Sequence, residues 1–360
     1  MQDIYKQLAH ILDRIPNGFP ETKSGIELKL LAKLFSPAEA ALACRLTLEP
    51  QTPQSIAQQV EMDERETYDI LKEMTKKGLI EAEKGEGRLA FKLIPFMVGF
   101  YERQNAKIDE EFAQLFEAYY QEAFNKMMSL KPSIHRIIPI ERHIPLNIEV
   151  MPYEKASTYL ESAQSWGVLP CICRVQKRLI GQGCKHSEEN CLVFSPKANV
   201  FDRTDAIRAI SKEEALEILA AAGKEGLVHS IGNVQKGINY ICNCCTCSCG
   251  VLRGIVEFGE LNAVARSDFY ACIDESLCTA CGICIDHCQF KALNLQNDET
   301  VCSVCGVDRT RCYGCGLCVS SCPMGALSLV QKSAAEIVPP PVTEAEWREK
   351  RAKARTDAQV

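Results

Sequence analysis

What the chain lacks narrows its chemistry first. No run approaches the roughly 18 consecutive apolar residues of a membrane span. The start, Met1 to Ile15, mixes Asp3, Lys6, His10, Asp13 and Arg14 with apolar residues, so it lacks the uninterrupted apolar core of a signal peptide. A cytoplasmic protein is the expectation. The net charge of −6 gives no overall basic character to attract nucleic acid or anionic lipid. There is no G-x-G-x-x-G after a strand, no G-x4-G-K-[ST] and no flavin fingerprint. Nothing reads as a Ser–His–Asp triad or an H-E-x-x-H helix. Up to Pro170 there is one cysteine, Cys44.

The other twenty of the 21 cysteines fall between Cys171 and Cys322. Secreted disulfide scaffolds are short and carry export signals, and this chain of 360 residues has neither property. Clustered thiolates in a reducing compartment hold metal. Eight of these cysteines form one motif written twice: Cys278-x2-Cys281-x2-Cys284-x3-Cys288 recurs as Cys312-x2-Cys315-x2-Cys318-x3-Cys322, every cysteine offset by 34 residues. The repeat extends further, matching Asp274 to Asp308, Gly282 to Gly316, Ala292-Leu293 to Ala326-Leu327 and Leu295 to Leu329. Zinc prefers two well-separated ligand pairs, so four cysteines within eleven residues, twice, suit it poorly.

At these residues the chain resembles the bacterial two-cluster ferredoxins over roughly 60 residues. The resemblance implies a pseudo-twofold domain in which the fourth cysteine of each repeat serves the other half's cluster. Cys278, Cys281, Cys284 and Cys322 would hold one [4Fe–4S] cluster, and Cys312, Cys315, Cys318 and Cys288 the other. Gly282 and Gly316 would let the backbone approach the inorganic sulfurs. One departure is that Pro323 follows the second fourth cysteine, as in the family, whereas Gln289 follows the first.

Nine more cysteines lie upstream: Cys171, Cys173, Cys184, Cys191, Cys242, Cys244, Cys245, Cys247 and Cys249. They suffice for one or two additional iron–sulfur clusters. In an extended segment Cys242 and Cys244 share one face while Cys245, Cys247 and Cys249 share the other. The simplest partition groups Cys171, Cys173, Cys184 and Cys191; mixed sites are equally allowed. His186 and His229 are further ligand candidates with ordinary roles favoured. Arg174 and Lys185 would offset cluster charge. Cys272, Cys302 and Cys305 exceed what a compact ferredoxin needs, and no role is assigned to them.

The first half reads as helical. Ser36-Pro37-Ala38-Glu39 is a capping box predicting a helix through Leu46. Thr52-Pro53 opens another covering Ser55 to Val60, and Asp63 caps a third that ends at Gly78. Leu79 to Glu83 and Arg88 to Ile94 then form a hairpin around Lys84-Gly85-Glu86-Gly87. This order resembles a winged-helix domain over residues 22–96. Ile108, Phe112, Leu115, Phe116, Tyr119, Ala123, Phe124 and Met127 predict a long amphipathic helix. Pro139 to Pro152 reads as extended and Tyr153 to Trp166 as helical. Ser211 opens a helix ending near Gly223. Pro339-Pro340-Pro341 reads as a stiff spacer before a charged tail.

The expected architecture is therefore α+β and multidomain: a helical winged-helix-like domain with its long helix (1–130), a cysteine-rich mixed α/β middle domain (131–265), a ferredoxin domain (266–335) and an exposed tail (336–360). The expected function is electron relay to a partner redox protein or enzyme complex in an anaerobic cytoplasm. Two alternatives are a redox-sensing winged-helix DNA-binding regulator and a catalytic reductase subunit acting at a middle-domain cluster. Against DNA, the would-be recognition helix starts Asp63-Glu64-Arg65-Glu66-Thr67-Tyr68-Asp69, four acids to one base, where base edges and phosphates would have to be met.

Overall fold

The computed structural model describes residues 2–84, 89–105, 107–145, 150–202, 206–298 and 301–358. The chain divides into two compact units, one of residues 1–127 with 175–182 and 355–360, the other of residues 128–174 with 183–354.

The first unit carries α1 (Gln2–Arg14), α2 (Ile26–Leu34), α3 (Pro37–Ala43), α4 (Pro53–Val60), α5 (Glu64–Lys77), the strands β1 (Ile80–Lys84) and β2 (Leu89–Leu93), and α6 (Glu110–Glu122). The capping box forms reciprocally: Glu39 N–H donates to Ser36 Oγ at 3.3 Å and Ser36 N–H to Glu39 Oε2 at 2.8 Å. α3 stops short of Leu46 because the chain tightens into i→i−3 bonds, Arg45 N–H to Leu42 O and Leu46 N–H to Ala43 O. Leu46 reaches the core from outside the helix. α5 runs from its cap at Asp63, which accepts from Arg65 and Glu66 N–H, to Gly78 in the left-handed region at φ 78°. β1 and β2 pair antiparallel, and their connecting residues 85–88 lie outside the described residues.

The apolar stripe of α6 is buried within its own unit, with Tyr101 stacked on Phe116 at 4.1 Å between ring centroids. The helix is shorter than the stripe. Asn125 Nδ2 donates to Tyr120 O at 2.7 Å and Gln121 O at 2.9 Å, capping carbonyls near its end, and a 3-10 turn over Phe124–Ser129 follows.

The second unit continues with β3 (His135–Ile137), α7 (Ala156–Ser162), β4 (Ser165–Pro170), the start of α8 (Ile172–Leu179, whose residues from 175 on belong to the first unit), β5 (Glu189–Ser195), β6 (Arg208–Ile210), α9 (Lys212–Lys224), β7 (Val228–Gly232), β8 (Tyr240–Cys244), α10 (Leu252–Glu257) and β9 (Val264–Ala265). After these come β10 (Phe269–Ile273), α11 (Ile283–His287), β11 (Leu293–Asp298), β12 (Val301–Val307), α12 (Leu317–Ser321), β13 (Leu327–Gln331) and α13 (Glu344–Ala358). Seven strands form one sheet in the order β6-β4-β5-β8-β7-β3-β9, antiparallel except where β3 meets β9. Val168, Leu192, Ile231 and Ile241 build its core with Ala215 and Leu219 of α9, the helix that Ser211 caps through Glu214 N–H.

Three expectations give way here. The predicted helix to Trp166 ends at Ser162, because Trp166 is taken into β4, flanked by β5 and β6, and its Nε1 donates back to Leu160 O at 2.8 Å. The extended stretch begins earlier than Pro139, as β3, and turns through a 3-10 segment at Glu141–His143; residues 146–149 lie outside the described residues. The tail is not exposed throughout: Trp347 and Arg351 of α13 are buried, Trp347 Nε1 donating to Ser133 O and Arg351 to Leu130 O and Pro132 O. The proline run is tied to the fold through Gln235 N–H to Pro341 O at 2.9 Å. The middle and ferredoxin-like regions share one compact unit.

Candidate metal centres

The duplicated motif folds with the symmetry its spacing requires. β10 pairs with β13 and β11 with β12, both antiparallel. Asp274 N–H donates to Ala326 O at 2.8 Å, and its mate Asp308 N–H to Ala292 O at 2.7 Å. Each aspartate also accepts from the backbone two residues on, at Ser276 and Thr310. Gly282 and Gly316 take φ 77° and 80° immediately before α11 and α12, a turn that a side chain would strain. Nothing in the protein crowds a Cβ at Gly282, so its conformation, rather than close packing by protein atoms, calls for glycine there.

Two cavities open between the halves. The first is lined by Cys278, Cys281, Cys284 and Cys322, and the second by Cys312, Cys315, Cys318 and Cys288. Each therefore gathers three cysteines of one repeat and the fourth of the other. Backbone N–H groups are aimed at the sulfurs in mated pairs: Ala292 to Cys288 Sγ and Ala326 to Cys322 Sγ, both 3.3 Å, then Ala271 to Cys312 Sγ at 3.4 Å and Cys305 to Cys278 Sγ at 3.5 Å. Such donors stabilise thiolate charge, and apolar residues such as Ile273, Leu327 and Leu293 exclude water. Four thiols, amide donors and an apolar wall fit an iron–sulfur cluster in either cavity.

Cys305 is the residue that sequence reasoning left without a role. It occupies the pseudo-twofold position of Ala271, so the first cavity has a fifth thiol, with Sγ 3.5 Å from Cys284 Sγ. The offset of 34 that pairs the motif cysteines also pairs Ala271 with Cys305, and this was the available signal. Cys272 is exposed on β10 away from both cavities, and the side chain of Cys302 lies outside the described residues.

The residues 277–326 match the 4Fe-4S dicluster domain. No curated protein matches the chain. A ferredoxin-type domain therefore occupies the C-terminal part, with an iron–sulfur electron-transfer role and redox partners to follow from it. Among the described residues no helix is long and apolar enough to cross a membrane.

The upstream nine cysteines sort into two groups, and the grouping differs from the simplest partition. Six of the thiols interact pairwise, Cys171 with Cys173, Cys173 with Cys249, Cys249 with Cys244, Cys244 with Cys242, Cys242 with Cys191 and Cys191 with Cys171, which closes a ring of six. Cys184 is not among them; its Sγ lies 3.9 Å from Cys245 Sγ, next to Cys247. The reason is register. Pairing of Leu192 with Ile241 sets Cys191 beside Cys242 on neighbouring strands, while Cys184 lies in the loop before β5. The alternation of faces places Cys242 with Cys244 and ends there. Cys249 N–H donates to Cys245 O at 3.1 Å, so the segment turns and returns Cys249 to the side of Cys244.

Arg174 lies buried between these groups. It donates to Ser187 O, Asn190 Oδ1 and Asn243 O, and its charge acts on the Cys245 thiol. The Cys247 hydrogen bond and the Arg174 charge bring the Cys245 thiol down to about 5 against the opposing effect of burial. His229 is engaged by Asn243 Oδ1 at 2.6 Å, His186 Nδ1 lies 3.8 Å from Glu225 Oε1, and Lys185 is exposed.

Gln289, the residue in place of proline, joins the regions. Its Oε1 accepts from Thr246 N–H at 3.0 Å and Thr246 Oγ1 at 2.8 Å, while Nε2 donates to Gly226 O at 2.9 Å. A proline there could make none of these bonds. Gln289→Ala is expected to release the Cys245–Cys249 turn, costing about 1 kcal/mol and raising hydrogen exchange at the Thr246 amide roughly fivefold. An unchanged exchange rate would refute that role.

Proposed function

We propose that this protein is a multi-cluster electron relay, passing electrons between a partner redox protein and a second acceptor through two [4Fe–4S] clusters in its ferredoxin domain and at least one more at the six-cysteine ring. The observation carrying this reading is the pair of cavities, each lined by four motif thiols drawn from both repeats. Bound there, a cluster supplies a one-electron couple. The protein's share is to supply the thiolates, aim N–H groups at their sulfurs and keep water out.

The two cavities differ in surroundings. Around the first, Leu277, Ile283 and Met324 are exposed apolar side chains and Cys281 is exposed. Beside the second, Ile140 N–H donates to Cys315 O at 3.0 Å and Gln289 reaches the cysteine turn of the middle region. This supports a path from partner to first cluster, to second cluster, to the middle ring. Neighbouring ends of the middle and ferredoxin regions within one unit favour a fixed path over a tethered one. The N-terminal module, read as winged-helix-like, serves here for docking on protein. Its α5 opens on exposed acids, and the hairpin's Lys92 is already paired with Glu81 and Glu83.

Anaerobic analysis of the full chain is expected to return more than about eight irons and eight sulfides. A Cys242→Ser, Cys244→Ser double variant is expected to lose the excess while retaining the ferredoxin EPR signals. Four or fewer irons in the native chain would sink the relay, and a double variant with unchanged spectra would remove the middle cluster from it.

A further inference from the structure

The three cysteines outside the ring are arranged unlike all the others. Cys184, Cys245 and Cys247 have sulfurs all within 4.8 Å of one another, and they are the group of three or more ligating side chains among the described residues that meets this condition. A tetrahedral ion with metal–sulfur bonds of about 2.3 Å sets its sulfurs about 3.8 Å apart. The 3.9 Å between Cys184 and Cys245 is that spacing. No three sulfurs of the ferredoxin cavities or of the ring meet that 4.8 Å condition among the described residues.

We propose that Cys184, Cys245 and Cys247 form a separate site for one thiophilic divalent cation, of the zinc and ferrous kind, with a fourth position left to an exogenous ligand. The surroundings carry the assignment further. Ser248 Oγ, 3.5 Å from Cys184 Sγ, is placed to donate to a thiolate. Neither nearby imidazole completes the set: His186 is outside the three-sulfur group, and His229 is held by Asn243. Three thiolates and a divalent ion leave one negative charge, offset by the buried Arg174 guanidinium at Cys245. Cys247 is exposed, so the fourth position is within reach of solvent or a small ligand. Three protein ligands and an open position are the pattern of ions that bind or activate a ligand, whereas purely structural sites are closed by four. Binding proceeds with release of the thiol protons and no change of oxidation state.

The test uses the full chain, purified anaerobically, with zinc, iron and acid-labile sulfide measured per chain for the native protein, Cys247→Ser and, as an exposed control, Cys272→Ser. Cys247→Ser is expected to lose one equivalent of a single metal with sulfide unchanged, and the element lost decides between zinc and iron. Joint loss of several irons with matching sulfide would show a cluster at this site and overturn the proposal, as would no loss of any metal. Measurements on the native protein guard against misfolding of the variant: for iron, the Mössbauer spectrum is expected to hold one ferrous component outside the clusters, and its absence would overturn the proposal; for zinc, X-ray absorption at the zinc edge reads the site free of the cluster irons. Three sulfur neighbours and one lighter ligand are expected, and four sulfurs, or none, would overturn the open site. Because the readout is sulfide-free metal, its failure leaves the relay standing.

Discussion

Cys288→Ala is expected to abolish the cluster in the cavity of Cys312, Cys315 and Cys318, and to spare the one whose first three ligands share its own repeat. The basis is placement: Cys288 lines the second cavity, with its sulfur held at 3.3 Å by Ala292 N–H. About four irons and four sulfides per chain should be lost. Paired variants make the assignment sharp. Cys288→Ala combined with Cys312→Ala removes ligands from one cavity and should cost no more iron than either change alone. Cys288→Ala combined with Cys278→Ala removes ligands from both and should cost about twice as much. Ligation confined within each repeat would reverse these two results, so iron analysis and EPR on four variants decide between them.

How far these centres were readable differs by region, for physical reasons. Cysteines spaced by two residues must wrap one loop, so the ferredoxin spacing is local information and is visible in sequence. Cys305 needed the repeat to be carried beyond its motif, onto Ala271. The middle region was opaque because its grouping depends on long-range facts: the β5–β8 register that sets Cys191 beside Cys242, and a turn that reverses the chain after Cys245. Strand alternation described Cys242 and Cys244 and lost its meaning at Cys249. In the tail, Trp347 and Arg351, four residues apart on one helix face, were the only hint of docking in a polar run.

The two halves are not equivalent. Two of the positions that break the repeat stand out: Cys305 lines the first cavity where Ala271 lines the second, and Gln289, opposite Pro323, follows Cys288 and bonds Gly226 O. Asp274 and Asp308 obey the repeat and hold matching turns.

Arg136→Met is expected to destabilise the second unit by about 3–5 kcal/mol, the largest effect foreseen away from the cysteines. Arg136 is fully buried on β3 and pairs with Glu154 and, at 3.6 Å, with Asp268. Its guanidinium also covers the Tyr153 ring at 4.8 Å. Glu154 Oε2 accepts from Asp268 N–H at 3.1 Å, so the network ties β3 to the residue that precedes β10 of the ferredoxin domain. One guanidinium facing two buried carboxylates cannot neutralise both. Burial pushes the Glu154 carboxyl up to about 7, with Asp268 adding to the rise and Arg136 opposing it. A folded value above the ordinary 4.5 means that folding takes up a proton between these two values. The stabilising contribution of Glu154 is therefore complete below about 4.5 and is lost as pH rises through about 7. Denaturant unfolding of the native chain and Glu154→Gln across that window should give a difference curve of this sign, and a flat one would refute it. Removing Arg136 alone strands the carboxylates, whereas Arg136→Met with Glu154→Leu removes both charges of the closest pair and should recover much of the loss. A double variant as unstable as Arg136→Met would show that packing around Tyr153, and not the stranded charge, sets the cost.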